Sequence, residues 1–496
     1  MHVPEGAITG PVQAVAIIGA ALRFPGASDP SSFHDLTVAG RRMFRALDRA
    51  PDGDGRSGTA GQEERSADRR LLQAALLDDQ ARGHGRDDDL TGGITARHLL
   101  AAETAAAALA DIPPVGRAVA SERIGVFIAD IPEPGTTSVR DWVDQQLRML
   151  APGDPEPTRA RRRHLVVSDA PPLRRVRAGF HDFLGNISIP RPSHGDRAVN
   201  SAAHGTAVMN GSAPSALHCS LRAVAQACTA LNAGEFDLVL AGGVTKGVGG
   251  WPRDPTAAGQ AAGSVRVYDA SPTGSLPGEG CGIVALTRAA DARDLAVPAY
   301  AEIVGWHYTS HGVPQAALPQ AYLRAGVDPA DIQFIEGHGA ATTADDLAEL
   351  AELLNLLGPR SAGITHRCAL GSVSANIGDT RAAAGIAALL KTAFAMTADV
   401  IPPSTGCVCP NHLLSRDTTP FRLPTAPELW PQTPVQLAAV NTLGTAPYPD
   451  APRSGPVHLV LRRERDLTRH PGRRRKPSPL LPPAKLAMEI PRQVQP

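Results

Sequence analysis

Two short loops in the second half of the chain carry the side chains best suited to chemistry. The segment 334–342 reads Phe-Ile-Glu-Gly-His-Gly-Ala-Ala-Thr and presents His338. The segment 371–380 reads Gly-Ser-Val-Ser-Ala-Asn-Ile-Gly-Asp-Thr and presents Asn376 and Asp379. A neutral imidazole donates and accepts hydrogen bonds, whereas an ionised aspartate only accepts them. By itself, however, a histidine after a strand is often an ordinary loop residue, and Asn376 could simply cap a turn.

Cys219 lies in a helix predicted over 217–233 and is interpreted as a buried structural cysteine, with a role as nucleophile as the alternative. Cys228 and Cys281 fall inside a predicted helix and a predicted strand, so we expect both in the core.

The composition is that of an ordinary globular protein, because 43% of the 496 residues are hydrophobic and 20% are charged. The formal net charge is zero, which gives no reason to expect nucleic acid or an anionic membrane as partner. No segment approaches the roughly 20 apolar residues that cross a bilayer, and residues 1–11 lack the features of a secretory signal. Cys407 and Cys409 are close, but no second pair stands at zinc spacing. We therefore predict a cytoplasmic protein with reduced thiols, no metal and no cofactor.

Predicted strands and helices alternate along the chain, which indicates an α/β fold whose sheets are covered by helices on both faces. Buried strands are predicted at 12–19, 123–129, 236–243, 281–287, 300–305 and 332–335. Helices are predicted at 96–110, 217–233, 315–325, 344–357 and 382–397.

Several segments together resemble the ketosynthase domain of polyketide synthases, in the β-ketoacyl synthase family. They are residues 16–26, with its Arg-Phe-Pro-Gly turn, 234–244, 267–282, 401–403 and 457–461, together with the two loops described above. The similarity is strongest to the iterative synthases that make enediyne precursors. It is carried there by Arg-Val-Tyr-Asp to Gly-Glu-Gly-Cys-Gly at 266–282, by 303–306 and by Pro-Pro-Ser-Thr-Gly-Cys at 402–407.

This resemblance implies the thiolase-like fold, in which two similar βαβαβαββ halves form a five-layer α-β-α-β-α architecture, usually as a dimer. We place a leader at 1–11 and the β-ketoacyl synthase domain at 12–461. Its halves cover about 12–288 and about 299–461. Residues 462–496 are basic and rich in proline, so we expect a disordered tail there.

The resemblance also implies a nucleophilic cysteine at a helix N-terminus, but this chain departs from the pattern. Counting back from Gly234 without a gap places Leu217 at the nucleophile position, and a less economical alignment anchored at Gly205 places Pro214 there. Neither side chain is a nucleophile. Cys219 is the alternative, although two residues along a helix it would point about 200° away. It would reach the pocket only if the helix began half a turn later, and is otherwise a buried structural cysteine.

In the family, two histidines donate hydrogen bonds to the thioester oxygen as a malonyl group loses its carboxylate. By resemblance, His338 occupies the first histidine position. Thr342 keeps the threonine that ends this histidine motif, which implies a contact with substrate. The second position holds Asp379, and Ser374 stands where the family has a lysine. Asn376 is retained, which implies a second contact with substrate. An ionised Asp379 could not donate, whereas a protonated one, its pKa raised by burial, could.

The closing glycine-rich turn of the family is also changed, because residues 441–450 carry two prolines. These changes predict a non-condensing subunit of polyketide or fatty-acid biosynthesis. It would act as a partner or chain-length-factor-like protein with an acyl carrier protein, in a homo- or heterodimer. The alternative is an enzyme that transfers acyl groups, decarboxylates or condenses with Cys219 and His338. A third alternative is a chain without a present role, which would fold poorly.

Overall fold

The computed structural model describes about half of the predicted N-terminal half and most of the predicted C-terminal half. Its described residues are 12–46, 73–77, 89–91, 94–113, 119, 123–131, 138–149, 219–247, 265–309, 317–359, 367–443 and 455–465. The predicted leader, Leu217, Pro214 and residues 466–496 of the predicted tail lie outside these ranges. None of the described helices has the length and apolar character that crossing a bilayer requires.

The strands within these ranges are numbered in chain order. They are β1 (Val15–Arg23), β2 (Arg45–Ala46), β3 (Gln73–Ala74), β4 (Asp89–Thr91), β5 (Ile94–Thr95), β6 (Ile124–Ala129), β7 (Leu238–Thr245), β8 (Gly280–Arg288), β9 (Glu302–Tyr308), β10 (Phe334–Glu336), β11 (Cys368–Gly371), β12 (Val400–Ile401), β13 (Phe421–Arg422), β14 (Glu428–Leu429), β15 (Val435–Thr442) and β16 (Val457–Glu464).

The described α-helices are numbered in the same way. They are α1 (Pro30–Val38), α2 (Ala96–Ala110), α3 (Val139–Met149), α4 (Ser220–Asn232), α5 (Ala289–Asp294), α6 (Ala317–Ala325), α7 (Thr343–Leu357), α8 (Ser374–Ile377) and α9 (Ala384–Ala398). Short 3₁₀ helices cover Pro329–Asp331 and Arg381–Ala383.

These elements confirm the predicted alternation of strands and helices, with bounds that differ by a few residues. The helix predicted at 96–110 is α2, and the strand predicted at 281–287 is the middle of β8. β16 continues to Glu464, so the predicted domain end at 461 falls inside a strand.

The duplication is visible in the order and direction of the strands. The described part forms a ten-stranded sheet in the order β13-β11-β10-β15-β16-β9-β1-β8-β7-β6. On one side β6 runs parallel to β7, and β7, β8 and β1 follow antiparallel to one another. On the other side β10 runs parallel to β15. There β15 pairs with β16, and β16 with β9, and both pairs are antiparallel. The two halves meet where β1 pairs with β9 at only two positions, Val15 with Ile303 and Ala16 with Glu302.

Two central helices lie between the halves. Helix α4 contacts β6 and β7 of one half and β9 and β16 of the other, and α9 contacts β15, β7, β8 and α4. On the outer faces, α2 and α3 pack on the first half, and α6 packs on β9 and β16. Strand side chains alternate accordingly, since Phe334 belongs to the core around the central helices and Ile335 to the core under α6 and α7. This is the five-layer, duplicated architecture of the thiolase-like fold.

The two central helices approach closely at their N-terminal ends. A Cβ on Gly385 would lie 2.7 Å from the backbone nitrogen of Leu221, so a side chain there would push the helices apart. The backbone N–H of Ile386 donates to the Ser220 hydroxyl at 2.8 Å. The start of α4 is therefore fixed against the start of α9.

Candidate active site

The first loop, residues 337–342, connects β10 to α7 and carries His338. Glu349, in the second turn of α7 and fully buried, accepts the backbone N–H of His338 at 2.7 Å and that of Gly339 at 2.9 Å. Asp346 accepts the backbone N–H of Ala341 at 3.0 Å. Two carboxylates near the start of α7 therefore hold the backbone of this loop.

Glu349 also accepts hydrogen bonds from two side chains of other elements. The Tyr268 hydroxyl donates to it at 2.9 Å and the Asn441 amide at 2.7 Å. Burial, and then the charge of Glu349, raise the pKa of Tyr268 well above its usual value, so the phenol stays protonated and remains a donor. Four neutral donors thus surround one carboxylate behind His338.

The hydrogen bonds of Asn441 continue into β16 and α6. Asn441 Oδ1 lies 3.3 Å from Nδ1 of His458, and Nε2 of His458 lies 3.2 Å from the Tyr322 hydroxyl. Burial lowers the pKa of His458 to about 3, so this imidazole is neutral. The neutral ring donates to the amide oxygen of Asn441 and accepts from the phenol.

The imidazole of His338 is half-buried and faces the end of β15. Its Nδ1 lies 3.5 Å from the Thr442 hydroxyl, a long contact. The backbone carbonyl of His338 accepts from the Ser372 hydroxyl at 2.9 Å and from Ser374 at 3.1 Å. Ser374, at the position where the resemblance implies a lysine, therefore holds the backbone of the first loop.

Cys219 precedes α4 rather than lying within it, and this corrects one step of the sequence argument. The helix begins at Ser220 and Cys219 is its N-cap, with extended backbone angles of φ −130° and ψ 114°. Because Cys219 is not a helical residue, the rotation of about 100° per residue does not decide where its thiol points. Whether the Cys219 thiol faces the pocket stays a prediction.

The surroundings of the Cys219 thiol oppose its ionisation on balance. The residue is 2% exposed, and burial raises the pKa of the thiol. The backbone N–H groups of Arg222 and Leu221, the charge of Arg222 and the Thr442 hydroxyl act in the opposite direction. These N–H groups lie near the sulfur without forming a cap hydrogen bond. A thiol with a raised pKa is protonated at neutral pH.

Thr442 brings the two candidate reactive groups into one site. Its hydroxyl lies 3.5 Å from Nδ1 of His338, and it acts on the Cys219 thiol by lowering its pKa against the larger effect of burial. No direct hydrogen bond joins thiol and imidazole in the described part of the chain. Cys219 just before α4, Thr442 at the end of β15 and His338 in the first loop are therefore the groups of one site.

The second loop, residues 372–381, is held at Asp379 by backbone hydrogen bonds. The N–H of Asp379 donates to the carbonyl of Leu276 at 2.8 Å, and the carbonyl of Asp379 accepts from Gly278 at 3.0 Å. Oδ1 of the half-buried Asp379 side chain accepts the backbone N–H of Arg381 at 2.7 Å. In this structure the side chain is an acceptor that caps a turn.

Asn376 and Thr342 both have structural partners. The Asn376 amide donates to the carbonyl of Arg41 at 2.9 Å, and its Oδ1 is buried without a partner among the described residues. The Thr342 hydroxyl accepts the N–H of Asp345 and caps α7. Contacts of Thr342 and Asn376 with substrate stay predictions.

The remaining cysteines behave as expected for core and loop residues. Cys228 and Cys281 are fully buried, and burial raises the pKa of Cys281 to about 12. Cys407 is half-buried and Cys409 is exposed. Among the described residues no group of three or more histidine, cysteine, aspartate or glutamate side chains could hold a metal ion.

Sequence reasoning missed Glu349, Asp346 and Thr442. Asp346 and Glu349 stand three residues apart near the start of a helix that follows a histidine loop, which is a signal that could have been used. Thr442 lies 104 positions from His338 in the chain, and no local pattern marks it.

Comparisons with known proteins agree with the architecture. The family model described as "Beta-ketoacyl synthase, N-terminal domain" matches residues 12–149 and 198–292, and the one described as "Beta-ketoacyl synthase, C-terminal domain" matches residues 300–407. The chain is 34% identical over 270 residues to the polyketide synthase ThaG of Burkholderia thailandensis, a match covering 51% of this chain and 5% of that protein. It is 31% identical over 238 residues to the highly reducing polyketide synthase sorA of Penicillium rubens, covering 45% of this chain and 9% of that protein.

Solved structures show the same fold at lower identity. A ketosynthase from module 6 of the bacillaene synthase of Bacillus subtilis 168 matches with a TM-score of 0.58 and 20% identity, covering 91% of this chain and 72% of that one. The oxazolomycin ketosynthase domain OzmH KS8 of Streptomyces albus JA3453 matches with a TM-score of 0.55 and 22% identity, covering 90% of this chain and 95% of that one.

Proposed function

Because this chain belongs to the β-ketoacyl synthase family, we propose that it is a non-condensing member that acts by binding in polyketide or fatty-acid assembly. The observation that carries this proposal is the side chain at the second histidine position. Asp379 is a carboxylate there, and its Oδ1 accepts the backbone N–H of Arg381. Decarboxylation of a malonyl group needs a hydrogen-bond donor at that position.

The energetic consequence of this replacement is large. Losing one donor to a developing oxyanion raises a reaction barrier by about 3–4 kcal/mol, or two to three orders of magnitude in rate. An ionised carboxylate near the carboxylate of a malonyl group would add repulsion, because like charges interact strongly where water is scarce. Ser374 provides no compensating cation at the position where the resemblance implies a lysine.

The thiol also supports a non-condensing role. A condensing enzyme needs a thiolate, and burial raises the pKa of Cys219 instead. Leu217 remains our prediction for the residue at the family's nucleophile position, and it lies outside the described residues.

The proposed role is that of a partner or chain-length-factor-like subunit in the cytoplasm. Its partners would be an acyl carrier protein and, in a heterodimer, an active ketosynthase. A homodimer that docks the carrier protein is the other form of the same proposal. The motifs at 266–282 and 402–407 lead us to place it with the enediyne-type iterative synthases.

Co-expression with a cognate ketosynthase, followed by native mass spectrometry, tests the binding role. We expect a stable complex of this chain with itself, the ketosynthase or the carrier protein. Incubation with malonyl carrier protein should release carbon dioxide no faster than the Asp379→Ala variant does. A monomer that binds none of these partners, or decarboxylation that depends on Asp379, would overturn the proposal.

A second candidate function is acyl transfer through Cys219 and His338. It is favoured by the Thr442 hydroxyl, which contacts His338 and lowers the pKa of the Cys219 thiol against the larger effect of burial. Incubation of the pure protein with an acyl carrier protein and mapping by peptide mass spectrometry tests it. A thioester on Cys219 that is absent in Cys219→Ala supports this function, whereas an unmodified Cys219 excludes it. Cys228, a fully buried cysteine within α4, is the matched control for non-specific acylation.

A further inference from the structure

The turn that follows β12 carries two cysteines that are separated by one residue. Cys407 is half-buried and Cys409 is exposed, and both are free thiols. Val408, between them, is 73% exposed, so the turn stands at the surface. Neither of the functions proposed above uses these two thiols.

The side chain of Asp269 folds this turn around one oxygen atom. Its Oδ2 accepts the backbone N–H of Val408 at 2.6 Å and that of Cys409 at 2.9 Å. Consecutive N–H groups point to opposite sides of an extended chain, so two that converge on one acceptor require a turn conformation at Val408. The chain accordingly bends at Val408 and Cys409.

This bend brings the two cysteines within the reach of a disulfide. In a fully extended chain the Cα atoms of residues two positions apart are separated by about 7 Å. A turn at the middle residue shortens this separation into the range of about 4.4–6.8 Å that disulfides span. The pair is therefore limited by the direction of its side chains and not by its backbone.

The backbone of residues 268–270 holds the turn from the other side. The carbonyl of Cys409 accepts the N–H of Ala270 at 2.7 Å, and the N–H of Asn411 donates to the carbonyl of Tyr268 at 2.8 Å. The Cys407 thiol donates to the same Tyr268 carbonyl at 3.8 Å. The backbone around the pair is thus fixed, whereas the exposed Cys409 side chain is able to turn about its Cα–Cβ bond.

We propose that Cys407 and Cys409 form a reversible disulfide, a redox switch that closes when a peroxide reaches the turn. The Cys409 thiol loses its proton and its sulfur attacks one oxygen of hydrogen peroxide. The O–O bond breaks, a sulfenic acid forms, and the second oxygen leaves as water with that proton. The Cys407 sulfur then attacks the sulfenic sulfur, and its thiol proton leaves with the hydroxyl group as water. Two thiols and one peroxide thus give one disulfide and two waters.

The surroundings of the two thiols set the order of these steps. Cys409 is exposed, so the peroxide reaches it first. Burial, and then the charge of Asp269, raise the pKa of Cys407 to about 12, so this thiol is protonated at neutral pH and does not react first. The raised pKa slows the second step, but that step is intramolecular, which offsets part of this cost. It also favours the disulfide at equilibrium, because the reduced pair is not stabilised as a thiolate at Cys407.

The switch lies behind the candidate active site and goes beyond both functions proposed above. When the disulfide closes, the Cys407 thiol no longer donates to the carbonyl of Tyr268. The hydroxyl of Tyr268 donates to Glu349, which holds the backbone of His338. Oxidation of the turn therefore acts on a residue that reaches the first loop.

Treatment of the pure protein with hydrogen peroxide, followed by alkylation in denaturant and peptide mass spectrometry, tests the switch. Trypsin releases residues 392–416, which contain Cys407 and Cys409 and no other cysteine. In the reduced protein we expect both cysteines of this peptide to be alkylated. After peroxide we expect neither to be alkylated, and the peptide to be lighter than its reduced form by two hydrogen atoms. Dithiothreitol should reverse the change by thiol–disulfide exchange.

Serine at either position separates the two steps. Cys407→Ser should stop at a sulfenic acid on Cys409, which dimedone traps, whereas Cys409→Ser should leave Cys407 unoxidised. Cys368, a buried cysteine of β11, is the matched control and should be alkylated in denaturant both before and after peroxide. Oxidation of Cys368 to the same extent as the pair would overturn the switch.

Three further results would also overturn the switch. They are alkylation of both cysteines after peroxide, a disulfide that joins Cys409 of two chains, and a sulfinic acid on Cys409 without a bond to Cys407. The double variant Cys407→Ser/Cys409→Ser should still form the complexes expected of the proposed binding function. Failure of the switch and failure of that function are therefore distinguishable.

Discussion

The two loops of the site differ in what holds them. The first loop, residues 337–342, is anchored by side chains, because Asp346 and Glu349 of α7 accept its backbone N–H groups. At position 379 the second loop is anchored by its own backbone, through the N–H and carbonyl of Asp379, whereas its anchoring side chains stand at Ser372, Ser374 and Asn376. A loop held by its backbone tolerates a new side chain at the position of chemistry. This explains how an acid can stand at position 379 without disturbing the fold.

The largest expected effect on stability comes from His458, behind the first loop, and appears when the pH is lowered. Its pKa in the folded protein is about 3, against an ordinary value of 6.5. As the pH falls, the unfolded chain therefore binds a proton at this residue first. The contribution of the neutral His458 to stability is present above pH 6.5 and is lost between pH 6.5 and about 3, with an upper bound of about 5 kcal/mol.

Urea unfolding at several pH values from about 7 to 4 checks this, with His458→Gln as the comparison. We expect the free energy of unfolding to fall more steeply with acid in the unchanged protein than in the variant. The carboxyls of Asp130 and Asp346 have raised pKa values of about 6 and about 7 and act in the opposite direction in both proteins. Parallel curves would show that His458 is not buried as a neutral group.

The next largest effect should come from the ion pair at the start of the first loop. Lys391 Nζ lies 2.8 Å from Oε2 of Glu336, and the side chains are 1% and 0% exposed. Lys391→Met leaves a buried carboxylate without its cation and should lower the free energy of unfolding by about 3–5 kcal/mol. Adding Glu336→Gln to this variant should recover part of the loss, because the unpaired charge is then removed. A single variant as stable as the unchanged protein would contradict the burial of this pair.

Replacing the acceptor of the first loop should have an intermediate effect. Glu349→Gln places an amide N–H₂ group against two of the four donors, and the unpaired groups should reduce stability by about 2–4 kcal/mol. Glu352→Gln is the control on the same helix, since this half-buried side chain accepts no hydrogen bond from the loop, and should change stability by less than about 1 kcal/mol. If Glu349→Gln and Glu352→Gln lowered stability equally, the hydrogen bonds accepted by Glu349 would not be what anchors the first loop.

The smallest effect should be at the second loop. Asp379→Ala removes the acceptor of the Arg381 N–H and should reduce stability by about 0.5–1.5 kcal/mol, because the backbone hydrogen bonds of the loop remain. Asp379→Asn keeps an acceptor oxygen and should be close to neutral. Thermal unfolding of both variants beside Glu349→Gln measures the difference. If Asp379→Ala were as damaging as Glu349→Gln, the second loop would depend on its side chain after all.

Part of the site was predictable because each of its two loops is a continuous segment of the sequence. The strand-glycine-histidine segment at 334–342 and the strand-asparagine-acid segment at 371–380 identify the two loops and their family. The helices at 96–110 and 344–357 were predicted closely, since a helix depends on the propensities and spacing of neighbouring residues. The position of Leu217 relative to the site stays a prediction.

The chain alone therefore determined the order of elements and the residue types at the two loops, and its resemblance to the ketosynthase family implied the duplicated fold. Only the tertiary structure decided that α4 begins after Cys219, that Thr442 contacts His338, and that Asp379 caps a turn. The physical reason is the separation along the chain of the residues that interact. Helices and strands follow from residues a few positions apart, whereas Thr442 and His338 are 104 positions apart. No local pattern records that contact.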